Sequence, residues 1–347
     1  AIVGQTLTAQ EVAGVHDTSS LVFIFLQFAF GVSAGFCVVT SCNVGAHNPA
    51  GVRRSLTTQI VLSAALTVIL TVLALLLLDP MLAWINVTPD NGEVCRAAYT
   101  YCAIIFAGIG AQLFYNFICS FLRSMGDSAT PLAFLLFSTI LNVGLDLLFI
   151  LSFHWGVAGV AIATAIAYTV SAATLFIRLL KTDSVVRVTL RDLAIDPVAL
   201  KRIVKIGLPA GIQSAVFAVA NIIIQSAINS LGTEVMAASS AAMSLEYVCY
   251  NLLNSFSQAC TTFVGQNHGA RQIDRCTKTL KVCLVEGGIV ALTTIIVIVG
   301  LGREILSLFN SDPNIVSIGY IRVCSIFPAY AFSMFYENMS GYLRGFG

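Results

Sequence analysis

The chain has 347 residues, of which 57% are hydrophobic and only 10% are charged, and its mean hydropathy is +0.89. Soluble domains carry about 25% charged residues, so this composition excludes a soluble globular protein and indicates an integral membrane protein. The net charge of +1 comes without a basic stripe, which argues against a nucleic-acid-binding surface. The ten scattered cysteines are expected to be small buried side chains rather than metal ligands.

Long apolar segments recur along the whole chain. A helix that crosses the hydrocarbon core of a bilayer needs about 20 mainly apolar residues, and nine segments meet this requirement. The predicted spans are 18–44, 57–78, 97–121, 132–153, 156–178, 204–230, 237–264, 280–301 and 316–343. The predicted fold class is therefore an all-α integral membrane protein.

Lysine and arginine residues are divided unevenly between the two sides of the bilayer. When the spans are threaded alternately, fifteen of the 18 basic residues fall on one side. The other side holds Arg96, Arg303 and Arg322. Because positively charged loops stay in the cytoplasm, the side with fifteen is predicted to be cytoplasmic.

The longest polar stretch, residues 183–203, lies in the middle of the chain and on the predicted cytoplasmic side. It is predicted to link an N-terminal transmembrane bundle, 1–182, to a C-terminal transmembrane bundle, 204–347. A short amphipathic helix is expected after the Asp196-Pro197 pair, because proline favours the first turn of a helix.

One polar motif interrupts the apolar sequence twice. VTSCNVGAHNPAGVRR at 39–54 and FVGQNHGARQIDRC at 263–276 share Asn-x-Gly-Ala at an offset of 224 residues. The match extends over residues 17–126 and 241–347, so the chain contains two copies of one unit. We expect the motif to have a structural or gating role at the cytoplasmic face, because its amides and glycines can cap and turn a helix.

The two copies have the same predicted orientation, which indicates parallel repeats related by an axis along the membrane normal. Each copy has neighbouring spans whose counterparts in the other copy are missing. We therefore expect two six-helix bundles with 12 spans in the intact protein. On this expectation the present chain is a fragment that lacks most of the first span and the last two.

Asp146 is the strongest candidate for a functional residue, because a charged side chain at bilayer depth is costly and is usually functional. It lies near the middle of the span 132–153, and Asn142 is one helical turn earlier on the same face. Thr164, in the next span, can add a hydroxyl. Such oxygen atoms suit Na⁺, and a buried carboxylate also suits a proton. The alternative is an interhelical hydrogen bond that only packs the bundle.

Several motifs together resemble the multidrug and toxic compound extrusion (MATE) family of the prokaryotic type. They are F-V-G-Q-N-x-G-A-x-x-x-x-R at 263–275, L-R-x-x-G-D-S-x-T-P at 122–131, N-x-x-x-D at 142–146 and GVAGVAIATAIAY at 156–168. The resemblance covers essentially the whole chain. It implies two helical bundles around a central cavity and export of organic cations in exchange for Na⁺ or H⁺.

The resemblance also implies an N-half cation site. In that family, positions matching Asn142, Asp146 and Thr164 form the site with an aspartate of the first span, which is absent here. A fourth-span tyrosine contributes as well, and Tyr101 is its match. No metal site is expected beyond Na⁺ at Asp146, and no cofactor is expected.

The C-terminal half offers its own polar residues at bilayer depth. Glu246, Tyr250 and Asn254 form a stripe that suits a cavity wall for flat cations, although it also suits an aromatic belt at the outer interface. Glu337 can contribute to transport or pair with Arg344.

The seventh span of some family members carries an acidic cation site, but here it offers Gln213 and no acid. We count Gln213 among the cavity candidates. Pro209 in the same span bends a helix and frees backbone carbonyls, so it is a candidate hinge for gating or a static kink.

The combined reading is a secondary active multidrug efflux transporter that works by alternating access. Its expected partners are small organic cations, such as drugs and dyes, and the lipid bilayer of the cell (inner) membrane, where we expect a monomer. The alternative is a lipid-linked oligosaccharide flippase of similar architecture, which would be expected to line its cavity with several basic residues. An enzyme is not expected, because no nucleophile and base or metal cluster lies at bilayer depth.

Overall fold

The computed structural model describes residues 8–85, 87, 92–181, 193–309 and 312–347. Within these residues the chain is helical and has no strand. The helices are α1 (Ala9–Gly45), α2 (Pro49–Leu76), α3 (Leu78–Trp84), α4 (Glu93–Ser124), α5 (Ala129–Leu147), α6 (Gly156–Lys181), α7 (Pro197–Asn229), α8 (Thr233–Gly269), α9 (Ile273–Gly300), α10 (Gly302–Ser307), α11 (Pro313–Ile326) and α12 (Tyr330–Phe346). Residues 182–192 of the predicted linker region lie outside the described residues.

Eight of the predicted spans are helices that are long and apolar enough to cross a membrane, counted over the described residues. Helix α8 covers the ninth predicted span, 237–264, but its composition alone does not mark it as a membrane span. The physical reason is that α8 carries serine, asparagine, glutamine and glutamate side chains along much of its length, and many of them bond to neighbouring helices or to its own backbone.

Proline and a short acceptor side chain begin three of the long helices. Asn48 accepts a hydrogen bond from Gly51 N at 2.9 Å at the start of α2. Asp312 does the same with Asn314 N at 2.9 Å at the start of α11. Asp196 Oδ1 accepts from Val198 N at 2.8 Å, and α7 then runs on as one continuous helix rather than as the separate short helix predicted after Pro197.

The chain divides into two compact units. The first comprises residues 1–40 and 48–218, and the second comprises 41–47 and 219–347. The division passes through α1 and α7, so each of these helices contributes to both units. The core of the first unit is formed mainly by α1, α3 and α4, with Leu21 and Phe106 fully buried.

Glycines allow α1 and α7 to pack closely within the first unit. A Cβ atom added to Gly35 would lie 2.6 Å from Gly207 Cα, and one added to Gly31 would lie 2.7 Å from Gly211 Cα. In membranes, small residues let helix backbones approach one another and gain dispersion energy. Gly31 and Gly35 therefore allow α1 to lie against the backbone of α7.

The repeated polar motif forms a reciprocal contact inside the second unit. A Cβ atom added to Gly45 would overlap Gln266 O, and one added to Gly269 would overlap Cys42 O. Cys42 and Gln266 are themselves equivalent positions of the two copies, as are the two glycines. Each copy therefore places its glycine against the same point of the other copy, where no larger residue fits.

The core of the second unit is formed by α8, α9, α11 and α12, with Phe327 and Leu253 buried. Hydroxyl groups connect α8 to α12, since Ser257 Oγ donates to Glu337 O at 2.7 Å and Thr261 Oγ1 donates to Gly341 O at 3.0 Å. These bonds account for part of the polarity of α8, because its hydroxyls are satisfied by a neighbouring backbone instead of facing lipid.

A buried ion pair also holds α8 to α11. Arg322 Nε lies 2.9 Å from Glu246 Oε1 and Arg322 Nη2 lies 3.2 Å from Glu246 Oε2, so the pair is bidentate. The two side chains are only 18% and 16% exposed. Arg322 lies within the span Pro313–Phe346, as it does in the predicted span 316–343.

We expect Gly35→Ala to lower the free energy of unfolding by about 1–3 kcal/mol, because the added methyl group would overlap the backbone of α7. Gly144→Ala is the matched control, since nothing lies within 4 Å of a Cβ atom there. This control should be neutral or stabilising by up to about 1 kcal/mol. Thermal unfolding of the purified protein in detergent measures both, and equal effects at the two positions would contradict the close contact.

We expect Glu246→Gln and Arg322→Gln each to destabilise the protein by about 3–5 kcal/mol, because each leaves one buried charge without its partner. The double variant removes both charges and should recover much of that loss. The conservative control is Glu304→Gln, at an exposed glutamate. Thermal unfolding of the wild type, the two single variants and the double variant forms a double-mutant cycle. Simple addition of the two losses would show that the pair is not coupled.

Candidate functional site

Helices α5 and α6 bring together three of the four predicted cation-site residues. Asn142 Nδ2 donates to Thr164 Oγ1 at 3.3 Å, which joins the two helices. Thr164 Oγ1 in turn donates to Val160 O at 3.0 Å. Asp146 follows Asn142 by one turn of α5, so its carboxylate lies on the same helix face. The sequence prediction that these polar groups gather at one place agrees with this geometry.

The Asp146 carboxylate is buried without a hydrogen-bond partner. Its residue is 9% exposed, and Oδ1 is fully buried but accepts no hydrogen bond from the described part of the chain. No described basic side chain lies within salt-bridge distance of it. A buried oxygen that lacks a donor is rare and calls for an explanation such as a proton or an ion.

Two further oxygen atoms next to Asp146 retain capacity to bind a cation. The Asn142 side-chain oxygen accepts no hydrogen bond from any described residue. Thr164 Oγ1 uses its proton on Val160 O and one lone pair on Asn142, so one lone pair remains. Carboxylate, amide and hydroxyl oxygens are hard ligands of the kind that alkali and alkaline-earth cations prefer.

Tyr101 lies on α4 beside this cluster. Its ring packs against the core of the first unit. The structure thus places all four predicted residues of the N-half site in one unit. Over the described residues, no cluster of three or more histidine, cysteine, aspartate or glutamate side chains could hold a metal ion.

The backbone next to Asp146 has a feature that the sequence did not reveal. The span continues from α5 into a π-helical turn, Leu148–Ser152, which begins two residues after Asp146. Wide π turns of this kind are frequent at functional sites. The span ends at Ser152, six residues after Asp146, so the carboxylate lies roughly 9 Å from that end. Asp146 therefore lies between the middle of the span and this end.

The predicted cavity residues of the C-terminal half form two separate arrangements in the second unit. Glu246 is paired with Arg322, and Tyr330 Oη donates to Glu246 O at 3.4 Å. It is therefore not an isolated carboxylate that faces a cationic ligand. The sequence shows that an acid and a base lie in two apolar spans of the same half, but it does not show that these two side chains meet.

Tyr250 and Asn254 belong to a polar ladder on α8. Asn254 Nδ2 donates to Tyr250 Oη at 3.3 Å, and Gln258 Nε2 donates to Asn254 Oδ1 at 2.8 Å. The residues are spaced four apart and share one face, as the predicted stripe requires. Gln258 extends this stripe by one turn beyond the residues that the sequence analysis selected.

Glu337, on α12, is 8% exposed. The predicted ion pair with Arg344 is not formed within salt-bridge distance, because Arg344 Nη2 donates instead to Ser340 Oγ at 2.8 Å. Gln213 lies on the part of α7 that belongs to the first unit. Pro209 lies inside α7, which remains one helix through it.

Comparison with known proteins identifies the family. The MatE family model matches residues 1–148 and 209–347. The probable multidrug resistance protein YoeA of Bacillus subtilis is 27% identical over 328 residues, which cover 92% of this chain and 70% of that protein. The probable multidrug resistance protein NorM of Thermotoga maritima is 26% identical over 342 residues, which cover 96% of this chain and 72% of that protein.

Solved structures share the fold. An outward-facing multidrug resistance MATE family transporter of the MOP superfamily matches with a TM-score of 0.91 at 22% identity, over 100% of this chain and 76% of the other. A MOP superfamily transporter from Pyrococcus furiosus, described as having a binding pocket of reverse polarity, matches with a TM-score of 0.89 at 21% identity, over 99% of this chain and 76% of the other. With the family model matching most of its length, the chain belongs to the MatE family and is a multi-pass membrane transporter, not an enzyme.

Proposed function

We propose that this protein exports small organic cations, such as drugs and dyes, across the cell membrane by alternating access, in exchange for Na⁺ or H⁺. The multidrug resistance proteins among its relatives support the efflux activity. The observation that carries the coupling is the buried Asp146 Oδ1, which has no partner within the described residues. We further propose a monomer with its Gly-Ala loops and central linker in the cytoplasm.

The coupling ion binds at Asp146 in this proposal. If the ion is Na⁺, Asp146, Asn142 and Thr164 supply its oxygen ligands. If it is H⁺, the proton occupies an Asp146 oxygen, and burial makes that neutral form favourable. Both ions neutralise the same carboxylate, so both remove the same cost of a charge at bilayer depth.

Neutralisation of Asp146 provides the link to conformational change. A bound ion shifts the balance between two states by the difference of its affinities for them. The Asn142–Thr164 bond joins α5 to α6, so occupation of the site changes the contact between these helices. Tyr101 on α4 is proposed to add its hydroxyl to the site, so that three helices of the first unit respond to ion binding.

The C-terminal half has a different role in this proposal. The charges of Glu246 and Arg322 cancel within one bidentate pair, so the pair fixes α8 against α11 and supplies no charge to an ion. Tyr250 and Asn254 supply an aromatic ring and an amide of the kind that contacts flat cations. Glu337 is a further buried carboxylate of the C-terminal half. Gln213 is proposed to contact the substrate, and Pro209 is proposed to act as a hinge in gating.

The lipid-linked oligosaccharide flippase is the second candidate. Such a substrate carries a pyrophosphate, which requires unpaired basic groups at bilayer depth. Arg322 is at this depth, but Glu246 neutralises it. We therefore place organic cation export first.

We expect Asp146→Asn to abolish ion-driven transport, because an amide can neither take up a proton nor bind a cation with a full charge. The measurement is efflux of a fluorescent organic cation from proteoliposomes that contain the intact protein, under an imposed Na⁺ or pH gradient. Glu286→Gln, at an exposed acid, makes the same chemical change elsewhere and should retain transport within about twofold. Unchanged transport by Asp146→Asn would overturn the site, and the absence of transport under either gradient would favour the flippase.

We expect Thr164→Val to raise the half-saturating concentration of the coupling ion by roughly 3- to 10-fold, the factor that corresponds to one lost hydrogen bond or ligand. Thr164→Ser keeps the hydroxyl and should behave like the wild type. The same proteoliposome assay at graded ion concentrations measures this. A Thr164→Val protein with an unchanged ion dependence would remove Thr164 from the site.

A further inference from the structure

Three aromatic side chains stack on one another where the span that carries Asp146 ends. The ring centroids of Phe149 and Trp155 are 5.0 Å apart, and both rings lie close to Phe153, at 5.9 Å and 5.3 Å. The ring planes are inclined to one another by 23°, 28° and 35°, so the rings lie nearly face to face. These three residues are called the aromatic cluster below.

The backbone of this segment brings the three rings together. Phe153 N donates to Leu148 O at 3.3 Å, which is a bond of the π turn, and Trp155 N donates to Phe149 O at 3.0 Å. The second bond folds the chain back over the turn, and His154 adopts a left-handed conformation there, with a φ of 53°. A regular α-helix would not place positions 149 and 155 on one face. The aromatic cluster therefore depends on the π turn and on the chain reversal that follows it.

The aromatic cluster has one buried member and two exposed members. Phe149 is 8% exposed, whereas Phe153 and Trp155 are 50% and 49% exposed. Gly159 allows α6 to lie against the buried side, since a Cβ atom added there would lie 3.0 Å from Phe149 Cβ and 3.2 Å from Trp155 Cβ. The cluster is therefore packed against the protein on one side and presents two rings to the surroundings on the other.

The position of the aromatic cluster indicates what covers its exposed side. The span ends at Ser152, so Phe153 and Trp155 come directly after it. Within the described part of the chain, the indole N–H of Trp155 donates to no acceptor. In hydrocarbon this N–H would lack a partner, and in water the two rings would expose apolar surface. At the boundary of the two regions the rings contact acyl carbons while the N–H reaches lipid carbonyls or water.

We propose that the aromatic cluster inserts into a phospholipid leaflet at the boundary between acyl chains and headgroups and anchors this end of the span there. Phe149 fixes the cluster to the protein, while Phe153 and Trp155 enter the boundary. The anchor holds the Asp146 carboxylate at a constant depth, roughly 9 Å below the end of the span. The proposal rests on the membrane placement of α5 and is independent of the transported substrate and of the coupling ion.

The test is depth-dependent quenching of Trp155 fluorescence in the intact protein, reconstituted in phosphatidylcholine vesicles. One acyl chain of the lipid carries bromine either near its headgroup end or at its far end. The difference in emission between the protein and Trp155→Phe reports Trp155 alone, because Trp84 is present in both. We expect bromine near the headgroup to quench this emission about threefold more strongly, since the two bromine positions are separated by much of one leaflet of a core about 30 Å thick.

Three results would overturn the anchor. Stronger quenching by bromine at the far end of the chain would place the indole ring in the hydrocarbon core. Quenching by aqueous iodide but by neither brominated lipid would place the ring in water. The absence of quenching by iodide and by both lipids would show that protein covers the ring.

A pair of variants tests whether the aromatic cluster acts as a unit. Phe153→Leu removes a ring that lies against Trp155, so the threefold preference for bromine near the headgroup should fall below about twofold. Phe137→Leu is the matched control, because Phe137 is a 45% exposed residue of α5 whose ring contacts Phe134. This control should keep the full preference. An unchanged preference in Phe153→Leu, or equal losses in the two variants, would overturn the role of the cluster.

Discussion

The structure depends on one constraint, which is that a polar group at bilayer depth must find its partner inside the protein. Helix α8 shows how this is met. Ser257 and Thr261 donate to the backbone of α12, and Glu246 is paired with Arg322. The composition of α8 is too polar to mark it as a membrane span. These contacts allow the helix to pack among apolar neighbours. Asp146 is the contrasting case, because its buried Oδ1 lacks a partner among the described residues.

This contrast separates residues that hold the bundle together from residues that bind. A satisfied pair such as Glu246 and Arg322 is expensive to break and is poorly suited to release an ion during each cycle. An unsatisfied carboxylate gains energy when an ion or proton arrives and loses it when the ion leaves. In the proposed mechanism Asp146 exchanges its ion or proton in each cycle, whereas the pair of Glu246 and Arg322 stays formed.

Much of the fold and part of the site could be predicted from the sequence. Apolar length predicted nine spans, and eight of them are apolar enough by composition to cross a membrane, counted over the described residues. The i, i+4 spacing of Asn142 and Asp146 placed both on one helix face. The partner of Glu246 could not be predicted, because Arg322 follows 76 residues later and the packing of two helices decides which side chains meet. The π-helical turn after Asp146 was equally hidden, since it depends on tertiary packing rather than on a residue pattern.

The reciprocal contact of Gly45 and Gly269 has a consequence for how this protein can change over evolutionary time. Two identical chains related by a two-fold axis make such contacts, in which the same patch meets itself. In a homodimer every substitution at that patch would occur twice. In this chain Gly45 and Gly269 are separate positions, yet each meets a backbone oxygen of the other copy, so neither can be replaced by a larger residue. The two copies are therefore held alike at these two positions, and differences between them must accumulate elsewhere in the chain.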